Sequence, residues 1–182
     1  MKILAIYGSS RENGNSEKLA SYVLKDINHS AFHLREMKIK PITDQRHDEH
    51  GFQPVEDDFD SIIEAFLKAD AVVFVTPLYW YGMSGSMKDF FDRWSQALRD
   101  ERYSFKENAK GKKAYVVVAG GDSPKLKALP LIQQFHYIFV FVGMEFEGYV
   151  IGEANAPDDI VKDTKAIREA EVMNDMIKHK NR

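Results

Sequence analysis

Short, nearly unbroken apolar runs alternate along this chain with longer stretches whose apolar positions recur every three or four residues. Lys2–Tyr7 (KILAIY) is the first such run, as a strand covered on both faces requires. Ser16–Ile27 then sets Leu19, Ala20, Val23, Leu24 and Ile27 on one helical face. Phe32–Arg35 is a weaker second strand, and Lys38–Pro54 is too polar for a core. Val55–Lys68 returns to helical spacing through Phe59, Ile62, Ile63, Phe66 and Leu67, and Ala71–Thr76 (AVVFVT) is the clearest strand. Ser84–Leu98 reads as a helix, Lys113–Ala119 (KAYVVVA) as a fourth strand, and Leu126–Val142 as a helix. Phe146–Ile151 is a fifth strand, and Asp158–Lys178 is a closing helix whose basic end suits the helix dipole. Five strands alternating with helices predict an α/β fold with a doubly wound, five-stranded parallel sheet. Right-handed crossovers leave few topologies, and the order 2-1-3-4-5 leads.

Sheets of this kind bind ligands beyond the carboxyl ends of their strands. Three loops lie there. The first, Gly8–Ser16 (GSSRENGNS), joins a strand to a helix N-terminus, whose unpaired N–H groups and dipole favour an anion. Ser9, Ser10, Asn15 and Ser16 add short polar donors, and Arg11 adds a charged fork suited to phosphate oxygens. The P-loop pattern fails, because Asn15 stands where it needs Lys, and the Gly-x-Gly-x-x-Gly fingerprint is absent. A helix cap at Asn15 or Ser16, with Arg11 a solvated surface charge, is the lesser alternative.

The second loop, Thr76–Gly82 (TPLYWYG), sets three aromatics just past the strongest strand, where they cannot all enter one core. They offer flat walls to a planar ring, or else a cover for the core or a subunit contact. In the third loop, Ala119–Ser123 (AGGDS), paired glycines permit a close pass beside a flat ligand or form a plain turn.

Composition narrows the chemistry. A chain of 182 residues, 44% hydrophobic and 29% charged, suits one folded domain over 1–182. A net charge of -3 gives no reason to expect nucleic acid as a partner. The absence of cysteine excludes disulfides, thiolate metal sites, cysteine-bound clusters and a cysteine nucleophile. That rules out a cysteine phosphatase on a similar sheet, while Gly8 and Thr76-Pro77 at the first and third strand ends lack a receiver's aspartates. No apolar stretch reaches about 18 residues, so no membrane span is expected. The start lacks the features of a signal peptide, and the expected location is the cytoplasm. His47, Asp48 and His50 are zinc-type ligands on a short polar loop without an evident second shell, so no metal is expected.

Gly8–Ala20 (GSSRENGNSEKLA), Thr76–Trp94 (TPLYWYGMSGSMKDFFDRW) and Gly120-Gly121 together carry a family resemblance. The chain resembles the NAD(P)H-dependent FMN reductases of flavodoxin-like fold, and more closely the branch that includes the iron–sulfur flavoproteins. The resemblance implies that Ser9, Arg11, Asn15 and Ser16 hold the FMN phosphate. It implies that Pro77, Leu78, Tyr79, Trp80, Tyr81 and Gly82 line the isoalloxazine, with Gly120, Gly121 and Asp122 on its other side. It further implies NADPH or NADH as co-substrate, a homodimer or homotetramer, and a small-molecule acceptor: a quinone, a nitro- or azo-aromatic, or free flavin.

A flavodoxin-type electron carrier is the alternative, against which the mild net charge and Arg11 both count. No general acid or base is assigned; Tyr79, Tyr81 and Asp122 are candidate proton donors. Phe90, Phe91 and Trp94 read as core or dimer contacts. One departure stands out. The iron–sulfur branch carries a cysteine cluster after its second strand, and Lys40–Gly51 here has none, so that cluster cannot form.

Overall fold

Five all-parallel strands form one sheet: β1 (Ile3–Tyr7), β2 (Ser30–His33), β3 (Ala71–Pro77), β4 (Lys113–Gly120) and β5 (Glu145–Glu153). Their order in this computed structural model is β2-β1-β3-β4-β5, as the periodicity predicts. Residues 1–180 are described, so the last two positions of the expected 1–182 unit lie outside the described residues. The helices are α1 (Asn15–Val23), α2 (Phe59–Lys68), α3 (Gly85–Asp92), α4 (Trp94–Ala97), α5 (Phe105–Ala109), α6 (Pro124–Lys127), α7 (Leu129–Val142) and α8 (Thr164–Lys180). Among the described residues no helix is long and apolar enough to cross a membrane.

Alternation along the central strands feeds two unlike cores. On one face Phe74 and Val116 pack with Phe66, Phe91, Phe135 and Phe139. On the other, Val73, Val75 and Val117 meet Leu19, Ala20, Ala166 and Ala170, small residues that let α1 and α8 lie close. Phe90, Phe91 and Trp94 are buried in the aromatic core, which decides between the two roles open to them.

Several boundaries differ from expectation. β2 ends two residues early because Leu34 turns inward, 3% exposed, in a 3-10 turn over Leu34–Glu36. The expected helix 84–98 breaks at Arg93 into α3 and α4. The expected helix 126–142 is α6 and α7, with Pro130 in the first turn of α7, where its missing N–H costs nothing. The closing helix starts at Thr164, after a 3-10 turn at Asp159–Lys162. The short α5 was not expected.

α2 begins at Phe59 rather than Val55, because the residues before it pin the polar segment 38–54. Asp58 accepts from the N–H of Lys38 at 2.6 Å, and Asp57 accepts from the N–H of Lys40 at 2.9 Å. Asp57 also pairs with Arg93 at 2.6 Å, and both side chains are 1% exposed. Arg93 donates further to Gln96 and to the carbonyl of Lys40, and its guanidinium lies 4.5 Å from the Phe59 ring centre. One buried cation thus joins the α3–α4 break, the start of α2 and the polar segment.

Burial alone would raise the Asp57 pKa, but bonds from Arg93, Lys40 and Phe59 outweigh it and hold the carboxyl below its ordinary 3.8. Its contribution to stability is therefore complete above that ordinary value and is lost as pH falls through the lower folded value. Asp57→Ala leaves the guanidinium buried without its counter-charge. It is expected to cost about 3–5 kcal/mol in urea unfolding at neutral pH. The difference from wild type should shrink at strongly acid pH.

Candidate functional site: a four-loop cleft at the strand ends

The carboxyl ends of β1, β3 and β4 open onto a cleft of about 550 Å³, within the range of about 300–1,000 Å³ usual for small-molecule sites. Its lining includes Ser9, Arg11, Asn15 and Ser16 from the first loop, Pro77, Leu78 and Tyr79 from the second, and Gly120 and Gly121 from the third. The loop after β5 supplies a fourth wall through Ala154, Asn155 and Pro157. Sequence reasoning missed that wall. The run Asn155-Ala156-Pro157-Asp158 carries the signal, since it is turn-forming and follows a strand end at the same edge.

The first loop is built on itself. The hydroxyl of Ser9, 3% exposed, donates to the carbonyl of Arg11 at 2.9 Å and accepts from the N–H of Arg11 at 3.1 Å. Among the described residues the N–H groups of Gly14, Asn15 and Ser16 meet no acceptor, which leaves the start of α1 able to receive an anion. The Arg11 side chain is exposed and has no carboxylate partner among the described residues. The Asn15 side chain is engaged elsewhere. Its amide donates to the carbonyl of Ala156 at 2.9 Å and accepts from the N–H of Ile160 at 3.3 Å, so it latches the fourth wall to α1. What Asn15 offers the cleft is its backbone N–H. Ser10 is exposed and lies outside the lining.

In the second loop, the N–H of Leu78 bonds the carbonyl of Ala119 at 2.8 Å. Tyr79 and Gly82 then exchange two backbone bonds of 3.0 and 2.9 Å around a two-residue turn. Trp80 (φ 48°) and Tyr81 (φ 64°) occupy its left-handed positions, where Asn and Gly are usual. Bulky residues there carry strain on the order of 1 kcal/mol each. The turn throws Trp80 into solvent, 97% exposed. The Tyr81 hydroxyl donates to Asp122 at 2.8 Å, and Lys127 donates to the same carboxylate oxygen at 2.6 Å. Lys127 and Tyr81 hold Asp122 below the usual carboxylate range, while Asp122 raises the Tyr81 pKa. Trp80, Tyr81, Gly82 and Asp122 thus form a rim outside the lining, where Tyr81 and Asp122 tie two loops together.

The glycine pair serves close approach. A Cβ on Gly120 would sit 2.8 Å from the Cβ of Leu78, and one on Gly121 would sit 2.8 Å from Oδ1 of Asn155. A cavity floored by glycine, walled by Pro77, Leu78 and Tyr79, and ending in free amides beside Arg11 fits a flat ring carrying a phosphate. His47, Asp48 and His50 lie on an exposed loop, and among the described residues no group of three or more His, Asp or Glu could hold a metal ion. His50 borders a separate cleft of about 560 Å³ with Asp60, Arg99 and Arg102, which shares no lining residue with the first.

The family described as NADPH-dependent FMN reductase matches residues 1–152. This chain belongs to that family. The matched stretch runs through the first three cleft loops and stops just before the fourth wall. The chain is 50% identical over 171 residues to YwqN of Bacillus subtilis, an NAD(P)H-dependent FMN-containing oxidoreductase by name, covering 93% of this chain and 94% of that one. It is 27% identical over 168 residues to an iron–sulfur flavoprotein of Archaeoglobus fulgidus, covering 88% and 72%. A solved Bacillus subtilis structure described as Trp repressor binding protein aligns with a TM-score of 0.80 at 42% identity, over 94% of this chain and 96% of that one.

The Asn15 latch carries an expectation for this chain. Asn15→Ala removes the only acceptor found for the Ile160 N–H among the described residues, and should speed its hydrogen exchange while leaving β3 protected. The stability cost should be about 1–3 kcal/mol, read by urea unfolding.

Proposed function

We propose that this chain is an FMN-dependent NAD(P)H oxidoreductase that seats FMN in the four-loop cleft. It would pass reducing equivalents to a quinone, a nitro- or azo-aromatic, or free flavin. The observation that carries this reading is the convergence of free amides and Arg11 at one end of a cleft whose other end is glycine facing Pro77, Leu78 and Tyr79. Family membership supports the cofactor class.

In this reading Arg11, Ser9, Ser16 and the backbone of Asn15 serve the phosphate, Ser9 through the shape it gives the loop. Pro77, Leu78 and Tyr79 wall the ring, and Gly120 and Gly121 keep the floor low by letting Leu78 and Asn155 close on them. FMN, when bound, supplies hydride acceptance from NADPH or NADH and delivery to the acceptor. The chain's own part is orientation and the exclusion of water. Ser10, Trp80, Tyr81, Gly82 and Asp122 stand at the rim, where a second substrate would enter. The Tyr81 hydroxyl is already donated to Asp122, so Tyr79 is the phenol open to the cleft. The reading takes 1–182 as one domain, working in the cytoplasm as a homodimer or homotetramer. Exposed Tyr137, Val140 and Phe141 on α7 and Tyr149 on β5 offer apolar surface for such an assembly.

Anaerobic addition of NADPH or NADH to the FMN-reconstituted protein should bleach the flavin absorbance, and a quinone should restore it. Bleaching by dithionite but by neither nicotinamide would refute the proposal. Arg11→Ala should weaken FMN binding by about tenfold or more, the loss of a charged hydrogen bond, with unfolding midpoint unchanged.

A further inference from the structure

Arg35 does not line the cleft, yet it grips the loop that does. We infer that Arg35 is a positioning residue for the phosphate end of the cleft, an inference that rests on the FMN reading above. Arg35 lies in the 3-10 turn after β2, on the neighbouring strand's connection. Its Nη1 donates to the carbonyl of Arg11 at 3.3 Å and pairs with Oε1 of Glu17 in the first turn of α1. The other Glu17 oxygen accepts from the N–H of Asn13 at 3.1 Å, where the backbone is left-handed at φ 54°. The pair is largely buried, with side chains 17% and 10% exposed.

This arrangement sorts the polar groups of the loop. The Arg11 carbonyl, which would repel an anion, is held by Ser9 and Arg35. The Asn13 N–H is occupied by Glu17. The N–H groups of Gly14, Asn15 and Ser16 are left for the ligand.

Charge adds a second effect. Glu17 suits the positive end of α1 but has the same sign as a phosphate there. Arg35 offsets it. The other groups facing the pair are His33, whose Nδ1 is 3.7 Å from Glu17 and whose ring stacks on Tyr7 at 4.5 Å, and Glu36, 3.3 Å from Arg35. Neither replaces the guanidinium: the His33 Nδ1 has no hydrogen-bond partner, and Glu36 adds another negative charge. Without Arg35 the loop loses a carbonyl anchor and Glu17 becomes a bare carboxylate within a turn of the phosphate. Both losses act on the phosphate and neither touches the ring.

The test compares FMN with riboflavin, which lacks the phosphate, by fluorescence titration of the apo-protein. Arg35→Met should weaken FMN binding by about tenfold while riboflavin affinity changes less than about twofold. Adding Glu17→Gln to that variant removes the bare charge and should recover part of the lost FMN affinity. Equal losses for the two ligands, unchanged FMN binding, or a double variant no better than R35M overturns the inference. Should R35M fail to fold, Glu17→Gln alone decides. It keeps an acceptor for Asn13 and frees the Arg35 charge, so the FMN preference over riboflavin should rise; an unchanged or lower preference is contrary. A wild-type protein that binds neither flavin, or binds both equally, refutes the parent reading instead.

Discussion

Parallel strands can be joined only by crossovers that carry the chain the length of the sheet, so every strand ends at the same edge. That constraint governs this protein. With helices on both faces, β1, β3 and β4 are buried through their middles, and their side chains there are almost all apolar. Chemistry is confined to loops at one edge, and the break in order between β1 and β3 leaves the crevice there. The cleft is thus a consequence of topology, and the loops only decide what it accepts.

What the loops add is mutual bracing. Asn15 ties α1 to the fourth wall, Tyr81 ties the second loop to the third through Asp122, and Arg35 ties the first loop to the turn after β2. Each tie joins segments distant in sequence, so the cleft's shape belongs to the whole edge rather than to any one loop. The buried Arg93–Asp57 pair does the same for the polar segment 38–54. That segment has no cysteine to hold a cluster. Here an ion pair and backbone bonds anchor it.

The sheet order and its five strands were legible because periodicity and chirality leave few alternatives. Boundaries were less so. The break at Arg93 is invisible to helical spacing, since Phe90, Phe91 and Trp94 remain in phase across it while the buried charge that sets the break has its partners in another segment. Three cleft loops were legible from residue type at strand ends, but the direction of single side chains was not. Asn15 read as a free donor because its partners, Ala156 and Ile160, lie more than 140 residues away. Three consecutive aromatics read as one wall, yet a left-handed turn sends Tyr79 to the cleft, Tyr81 to Asp122 and Trp80 outward. Glu17 looks like an ordinary helix-start charge, and Arg35 like the polar end of a weak strand, until the fold brings them together.

The chain holds two tryptophans, and the fold gives them opposite surroundings. Trp94 is buried among Phe66, Phe91 and Phe105, while Trp80 stands in water beside the cleft. Their emission should therefore separate by colour, blue-shifted from the core and red-shifted from the rim. A flavin seated in the cleft as proposed would absorb where tryptophan emits. The two tryptophans would then serve as an optical gauge, the red emission dimming as the cleft fills and the blue emission shifting as the aromatic core loosens.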